Sequence, residues 1–210
     1  MSDLEKLKEN VKDSPFLKTC YEVSTPIDFL KGHLLRYNAS ETERNKIKLT
    51  SEELQNISNK DFFEKIIPEF QRSNDKWTKQ MKIKFVENIL SGIGTSFLLG
   101  NIGNKGVHYN CMLIDGQQRV TALVEWMNGN FPVFNDIYYS KELDSFLANI
   151  YEVKTKIYTF ENEKEMVKFY ISMNENITHS KEDIKKAKDY LEKLESLEKK
   201  IDIKIDNLGR

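Results

Sequence analysis

Cys111-Met112-Leu113-Ile114-Asp115-Gly116-Gln117-Gln118-Arg119-Val120-Thr121-Ala122-Leu123 joins two hydrophobic periods across a polar corner. The run Cys111 to Ile114 suits a buried strand, while Val120, Leu123, Val124 and Met127 fall at the spacing of one helix face. The segment therefore predicts a strand, a tight turn and a helix, with Asp115 to Arg119 at the corner. Gly116 lets a ligand approach the backbone, and a helix start offers unpaired N–H groups and the positive end of a dipole. Arg119 adds a fork-shaped donor. These are the parts of an anion site. A plainer alternative also fits, in which Asp115 is simply an N-cap.

The pattern on either side of the corner predicts an α/β (α+β) chain. Phe97-Leu98-Leu99 reads as a strand, and the glycines and asparagines between Gly100 and Asn110 mark a hairpin-like return. Val153 to Phe160 alternates like a strand with one drier face. Trp77, Met81, Phe85, Ile89 and Leu90 form a helical stripe that Ser91-Gly92 stops, and Asn128-Gly129-Asn130 ends the helix after the corner. Met166, Phe169, Tyr170 and Met173 form another stripe, and Ile184, Ala187, Leu191, Leu194 and Leu197 a third. Capping-box patterns stand at Thr50-Ser51-Glu52-Glu53 and Ser180-Lys181-Glu182-Asp183.

Residues 1 to 36 are expected to be helical in two pieces, the second opened by Thr25-Pro26, and residues 37 to 49 to be loop. Pro68 makes the apolar piece from Phe62 a short or edge strand, and Phe131 to Phe134 begins another extended piece. Ile201, Ile203 and Ile205 alternate as an edge strand would.

The 210 residues suffice for one domain with a core, and the net charge of −1 gives no global basic field. A charged N-terminus and the lack of any long apolar run predict a soluble, cytoplasmic chain without membrane segments. Cys20 and Cys111 are read as reduced, Cys111 as a small buried hydrophobe. There is no Gly-rich loop ending in Gly-Lys-Ser/Thr, which excludes a P-loop. His33, His108 and His179 are scattered, which excludes a paired-histidine zinc motif. Between positions 72 and 84, Arg72, Lys76, Lys79, Lys82 and Lys84 stand against one acid, Asp75. Such a run is either a solvated helix face or a nucleic-acid surface.

The Asp115-Gly116-Gln117-Gln118-Arg119 corner followed by Val-Thr-Ala-Leu resembles the signature of the N-terminal domain of GmrSD-type modification-dependent restriction systems, a branch of the ParB/sulfiredoxin-like superfamily. A second block, Ile67-Pro68-Glu69-Phe70-Gln71-Arg72 with Trp77 and Gln80, resembles the opening of the same family and stands in the correct order. A third, with Phe169, Asn174 and Thr178, matches more loosely. Ile93-Gly94-Thr95-Ser96 departs from the family by replacing a proline-containing turn.

The resemblance implies a small mixed sheet surrounded by helices over residues 61–192, with a helical extension at 1–60 and a helix end and tail at 193–210. It also implies that the corner binds, and in several members hydrolyses, nucleoside triphosphates. Asp115 and Arg119 are then the expected catalytic residues, and Gly116, Gln117, Gln118, Arg119, Gln71, Arg72 and Asn174 the nucleotide-binding ones. A bare carboxylate repels phosphate, so the sensible role for Asp115 is to hold Mg²⁺ or orient water. Arg72 could instead form a structural ion pair, and Asn174 could be only a helix cap.

Relatives often attach a nuclease after the region corresponding to residue 192, so any DNA cleavage is expected to need a partner chain. The expected partners are a nucleoside triphosphate, DNA, a separate nuclease or host protein and a further copy of the chain. The alternatives to a nucleotide switch are a DNA-binding regulator using Lys76, Lys79, Lys82 and Lys84, and a pure protein-interaction module.

Overall fold

The computed structural model describes residues 2–11, 20–46, 57–72, 76–103, 109–175 and 181–208. Four strands make one mixed sheet: β1 (Tyr21–Pro26), β2 (Ser96–Ile102), β3 (Met112–Asp115) and β4 (Glu152–Phe160), in the order β1-β4-β2-β3. β2 and β4 run parallel at the centre, with Leu99 opposite Ile157, and β1 and β3 are antiparallel edges. The fold is α+β, as the alternation of sequence periods predicts.

Alternate residues of each strand enter opposite layers. Phe97, Leu99, Leu113, Val153 and Ile157 face a larger core that α2 (Leu30–Asn38), α4 (Asn59–Ile66), α5 (Lys79–Leu90), α6 (Gln117–Met127) and α7 (Asp144–Ile150) complete. Leu98, Ile114, Tyr158 and Phe160 face a smaller one under α8 (Glu163–Asn174) and α9 (Lys181–Leu208). Because α6 lies in one layer and α8 in the other, the carboxyl end of edge strand β3 opens between them.

Five local expectations are corrected. The segment read as helical up to residue 36 contains β1, a largely exposed edge strand whose only fully buried residue before Pro26 is Thr25, so it lacks the apolar alternation that marks a strand. Helix then starts with a 3₁₀ turn at Ile27–Phe29, and α1 (Asp3–Val11) has Leu4 and Leu7 exposed. The supposed loop after residue 37 holds α3 (Glu41–Lys46), which a reciprocal box starts: Ser40 Oγ accepts from the Glu43 N–H at 3.4 Å, and the Glu43 carboxylate accepts from the Ser40 N–H at 2.9 Å.

The apolar piece before Pro68 is helix α4, not strand. Ser58 caps it through the Asp61 N–H, Phe62 and Ile66 sit one turn apart in the core, and Ile67 is extended before the proline. Ile201 to Ile205 continue α9, because residues four apart share a helix face as well as a strand face. Finally, the extended piece expected to begin at Phe131 to Phe134 is cut short by a tight turn: Phe134 and Asn135 have φ of 47° and 80°, and Val133 and Ile137 form an isolated bridge. The boxes at Thr50 and Ser180, with His108, Thr178 and His179, lie outside the described residues.

The helix expected from Trp77 begins at Lys79 behind the Thr78 cap, and Met81 of its stripe is exposed. No helix among the described residues is long and apolar enough to cross a membrane. Cys111 is buried, as its apolar neighbours predict.

His33 ties α2 to the sheet, its Nε2 lying 3.1 Å from Thr155 Oγ1. Burial, with a smaller contribution from Arg36, pushes its pKa down to about 4. Between about pH 6.5 and 4 the unfolded chain therefore binds a proton that the native chain does not. Stability is lost as pH falls through this window, at about 1.4 kcal/mol per unit and roughly 3 kcal/mol in all. Urea midpoints at pH 7 and 4.5 measure this, and His33→Gln should flatten the slope.

Candidate functional site

Asp115 is the last residue of β3 and Gly116 the N-cap of α6, in the left-handed region at φ 102° and ψ 9°. The first helical hydrogen bond runs from the Val120 N–H to the Gly116 carbonyl at 2.8 Å. Hence the N–H groups of Gln117, Gln118 and Arg119 have no acceptor inside their own helix. They point out of the positive end of an eleven-residue helix that is buried nearly all round.

The side chains of the corner have divided tasks. Arg119 folds back one turn onto the Asp115 carboxylate and donates Nη1 to the Ser96 carbonyl of β2 at 2.7 Å. Both partners of this ion pair keep partial exposure, 26% for Arg119 and 38% for Asp115. Gln118 is only 8% exposed, and its Oε1 accepts the Trp77 N–H at 3.2 Å. Its Nε2 is buried and has no hydrogen-bond partner among the described residues.

Gln71 and Arg72 reach the corner from the segment after α4. The Gln71 amide Nε2 donates to the Leu113 carbonyl on β3, and the Gln71 carbonyl accepts from Lys186 Nζ of α9 at 2.7 Å. This pins the segment against the sheet edge and presents Arg72. Arg72 Nη1 is buried without a hydrogen-bond partner among the described residues. From the other layer, Asn174 closes α8; it is buried and donates Nδ2 to the Tyr170 carbonyl at 2.8 Å.

These parts enclose one cavity of about 330 Å³, lined by Gln71, Arg72, Asp115, Gly116, Gln117, Gln118, Arg119 and Asn174. Every residue that the sequence offered for nucleotide binding or catalysis is thus on one wall or another. The cavity is rich in donors, with Asp115 as its carboxylate. Among the described residues no three acidic, histidine or cysteine side chains converge as a metal cage. Asp115 alone fits a metal that arrives already bound to phosphate oxygens, since such ions need one or two protein carboxylates.

A model of the GmrSD restriction endonuclease N-terminal domain matches residues 50–208. The chain belongs to this family. No curated protein and no solved structure matches it. Membership of the GmrSD N-terminal family ties the chain to restriction, a defence-related role. The matched range begins after β1, so the edge strand of this GmrSD N-terminal domain comes from sequence ahead of the family region.

Sequence reasoning missed the apolar half of the cavity. Trp77, Tyr170 and Met173 line it, although all three read as core positions. A usable signal existed for two of them, because Tyr170, Met173 and Asn174 stand at i, i+3 and i+4 on one helix face. Burial raises the Tyr170 phenol above its ordinary range, against the lowering effect of the neighbouring Arg72 charge.

Apart from Arg72, the basic run lies elsewhere. Lys76 pairs with Asp183 at 2.8 Å, Lys82 with Glu125 at 2.8 Å and Lys84 with Glu87 at 3.9 Å, while Lys79 is exposed. None of the four lines the cavity.

Proposed function

We propose that this GmrSD-family chain binds nucleoside triphosphates at the Asp115–Arg119 corner and hydrolyses them. The observation that carries the reading is a pair of buried donors, Arg72 Nη1 and Gln118 Nε2, that have no hydrogen-bond partner among the described residues and lie on the same cavity as the start of α6. An unsatisfied buried donor costs about 1–3 kcal/mol. Two of them beside a helix N-terminus favour a ligand carrying several acceptors, anionic ones among them, and a nucleoside triphosphate supplies them.

In this reading the α6 N–H groups and Arg72 hold phosphate oxygens. Asp115 sits at the mouth, where it can orient a water and accept its proton. The water oxygen forms a bond to the terminal phosphorus as the bridging P–O bond breaks, and the leaving diphosphate keeps the electron pair. Arg119, already beside Asp115, is placed to offset the charge developing on the leaving oxygens. A divalent cation accompanying the nucleotide would neutralise phosphate charge, with Asp115 as its protein carboxylate.

The test is binding and turnover of the four common nucleoside triphosphates with Mg²⁺. We expect a rise in melting temperature with Mg²⁺ and nucleotide together and none with Mg²⁺ alone. Asp115→Ala should lower turnover by at least 100-fold while keeping binding, as loss of a general base does. Failure of every nucleotide to bind would remove the reading. A DNA- or partner-binding regulator draws instead on the lysine run, but carboxylates already face Lys76, Lys82 and Lys84.

A further inference from the structure

The cavity lining is of two chemical kinds, and the polyphosphate reading, on which this inference rests, uses only one. The other is apolar, formed by Trp77, Tyr170 and Met173. Tyr170 already packs against Phe70, with ring centroids 5.3 Å apart and planes tilted by 59°. Trp77 meets Phe85 edge-on, with centroids 5.2 Å apart and planes at 62°. An edge-on contact leaves indole surface available, and Trp77 is only half-buried although it packs against the core.

The backbone of Trp77 determines how Gln118 is oriented. A backbone N–H can be satisfied only by an acceptor, so the Gln118 oxygen faces Trp77 and the amino group must face away. That amino group is buried and has no hydrogen-bond partner among the described residues. A flat aromatic surface and an oriented donor thus stand side by side on the cavity wall. Polyphosphate alone has no use for the aromatic surface.

We propose that Trp77 and Gln118 form a subsite for the nucleoside's planar base, which stacks on the indole and presents an acceptor atom to Gln118 Nε2. Trp77 is then a specificity-determining residue as well as a core anchor. Stacking of a base on an aromatic side chain is worth about a tenfold or greater gain in affinity.

The experiment compares Mg²⁺ complexes of the four nucleoside triphosphates with Mg²⁺–tripolyphosphate on the full chain, by calorimetry. At least one nucleotide should bind tenfold or more tightly than tripolyphosphate. Trp77→Leu should erase that advantage and leave tripolyphosphate affinity within twofold of wild type, and Trp77→Phe should restore part of it. An independent readout needs no variant: Trp77 and Trp126 are the two tryptophans, and Trp126 is buried in the core. Indole fluorescence should therefore be quenched by the nucleotide and not by tripolyphosphate.

Equal affinity for tripolyphosphate and all nucleotides, or equal weakening of both by Trp77→Leu with no nucleotide-specific quenching, would overturn the base subsite and leave the phosphate site standing. Absence of binding by every probe would overturn both.

Discussion

Arg72→Met is expected to weaken nucleotide binding by about 100-fold while leaving the ligand-free protein as stable as wild type or more so. The two halves of this result come from one atom. Arg72 Nη1 is buried and has no hydrogen-bond partner among the described residues, so the native fold bears a desolvation penalty that contributes nothing to its stability. Methionine fills similar volume without that penalty. A charge-assisted contact to phosphate is worth about 1.5–3 kcal/mol, and its loss lowers affinity by one to two orders of magnitude.

Arg119 supplies the contrast. Its guanidinium already serves Asp115 and the Ser96 carbonyl, so Arg119→Met should lower stability by about 1–2 kcal/mol in addition to its effect on the ligand. Melting of the ligand-free variants, with nucleotide affinity by calorimetry, separates the two. A loss of more than about 1 kcal/mol in Arg72→Met would make Arg72 a structural residue and remove it from the site.

Elements with one dry face were legible in the sequence, and those without one were not. β4 and α8 each bury every second or every third to fourth residue, and their periods stand out. β1 was hidden because an edge strand with exposed Tyr21 and Glu22 has no alternating pattern to read. α3 was hidden for a related reason: Ser40 and Glu43 specify its start, but nothing apolar follows to complete the signal. Ile201 to Ile205 is ambiguous by construction, since a spacing of four satisfies both periods.

The corner itself was legible down to single residues. Strand, glycine and helix period meet there within a few positions, and the chemistry that an anion needs is carried by residue types with no role in a core. The aromatic wall was not legible, because Trp77 packs against Phe85 and lines the cavity at once. A residue with two tasks shows only the commoner one in a periodic pattern. Its second task emerges when Gln118 and Trp77, 41 positions apart, are seen hydrogen-bonded.

Gly116→Ala is expected to destabilise the fold by about 2–4 kcal/mol and to abolish nucleotide binding, the largest effect anticipated for removing no functional group at all. Two independent strains combine. At φ 102° an L-residue is disfavoured by about 1–2 kcal/mol, and a Cβ there would stand 2.7 Å from Phe97 Cδ1. Phe97 is completely buried on β2 and cannot swing aside without disturbing the larger core. The backbone must move instead, and with it the N–H groups of Gln117, Gln118 and Arg119.

Gly129→Ala isolates the first strain. Gly129 has φ 74° at the end of the same helix, and nothing lies within 4 Å of the position that an alanine methyl would take there. Its loss should be about 1 kcal/mol with nucleotide affinity unchanged, because only conformational preference is altered there. Urea denaturation of both variants gives the difference, which measures how far Phe97 is braced under the corner. Equal destabilisation by the two substitutions would show that Phe97 yields. Gly116 would then be required for its backbone angle alone, and a D-alanine at that position, introduced by chemical ligation, should restore both stability and binding.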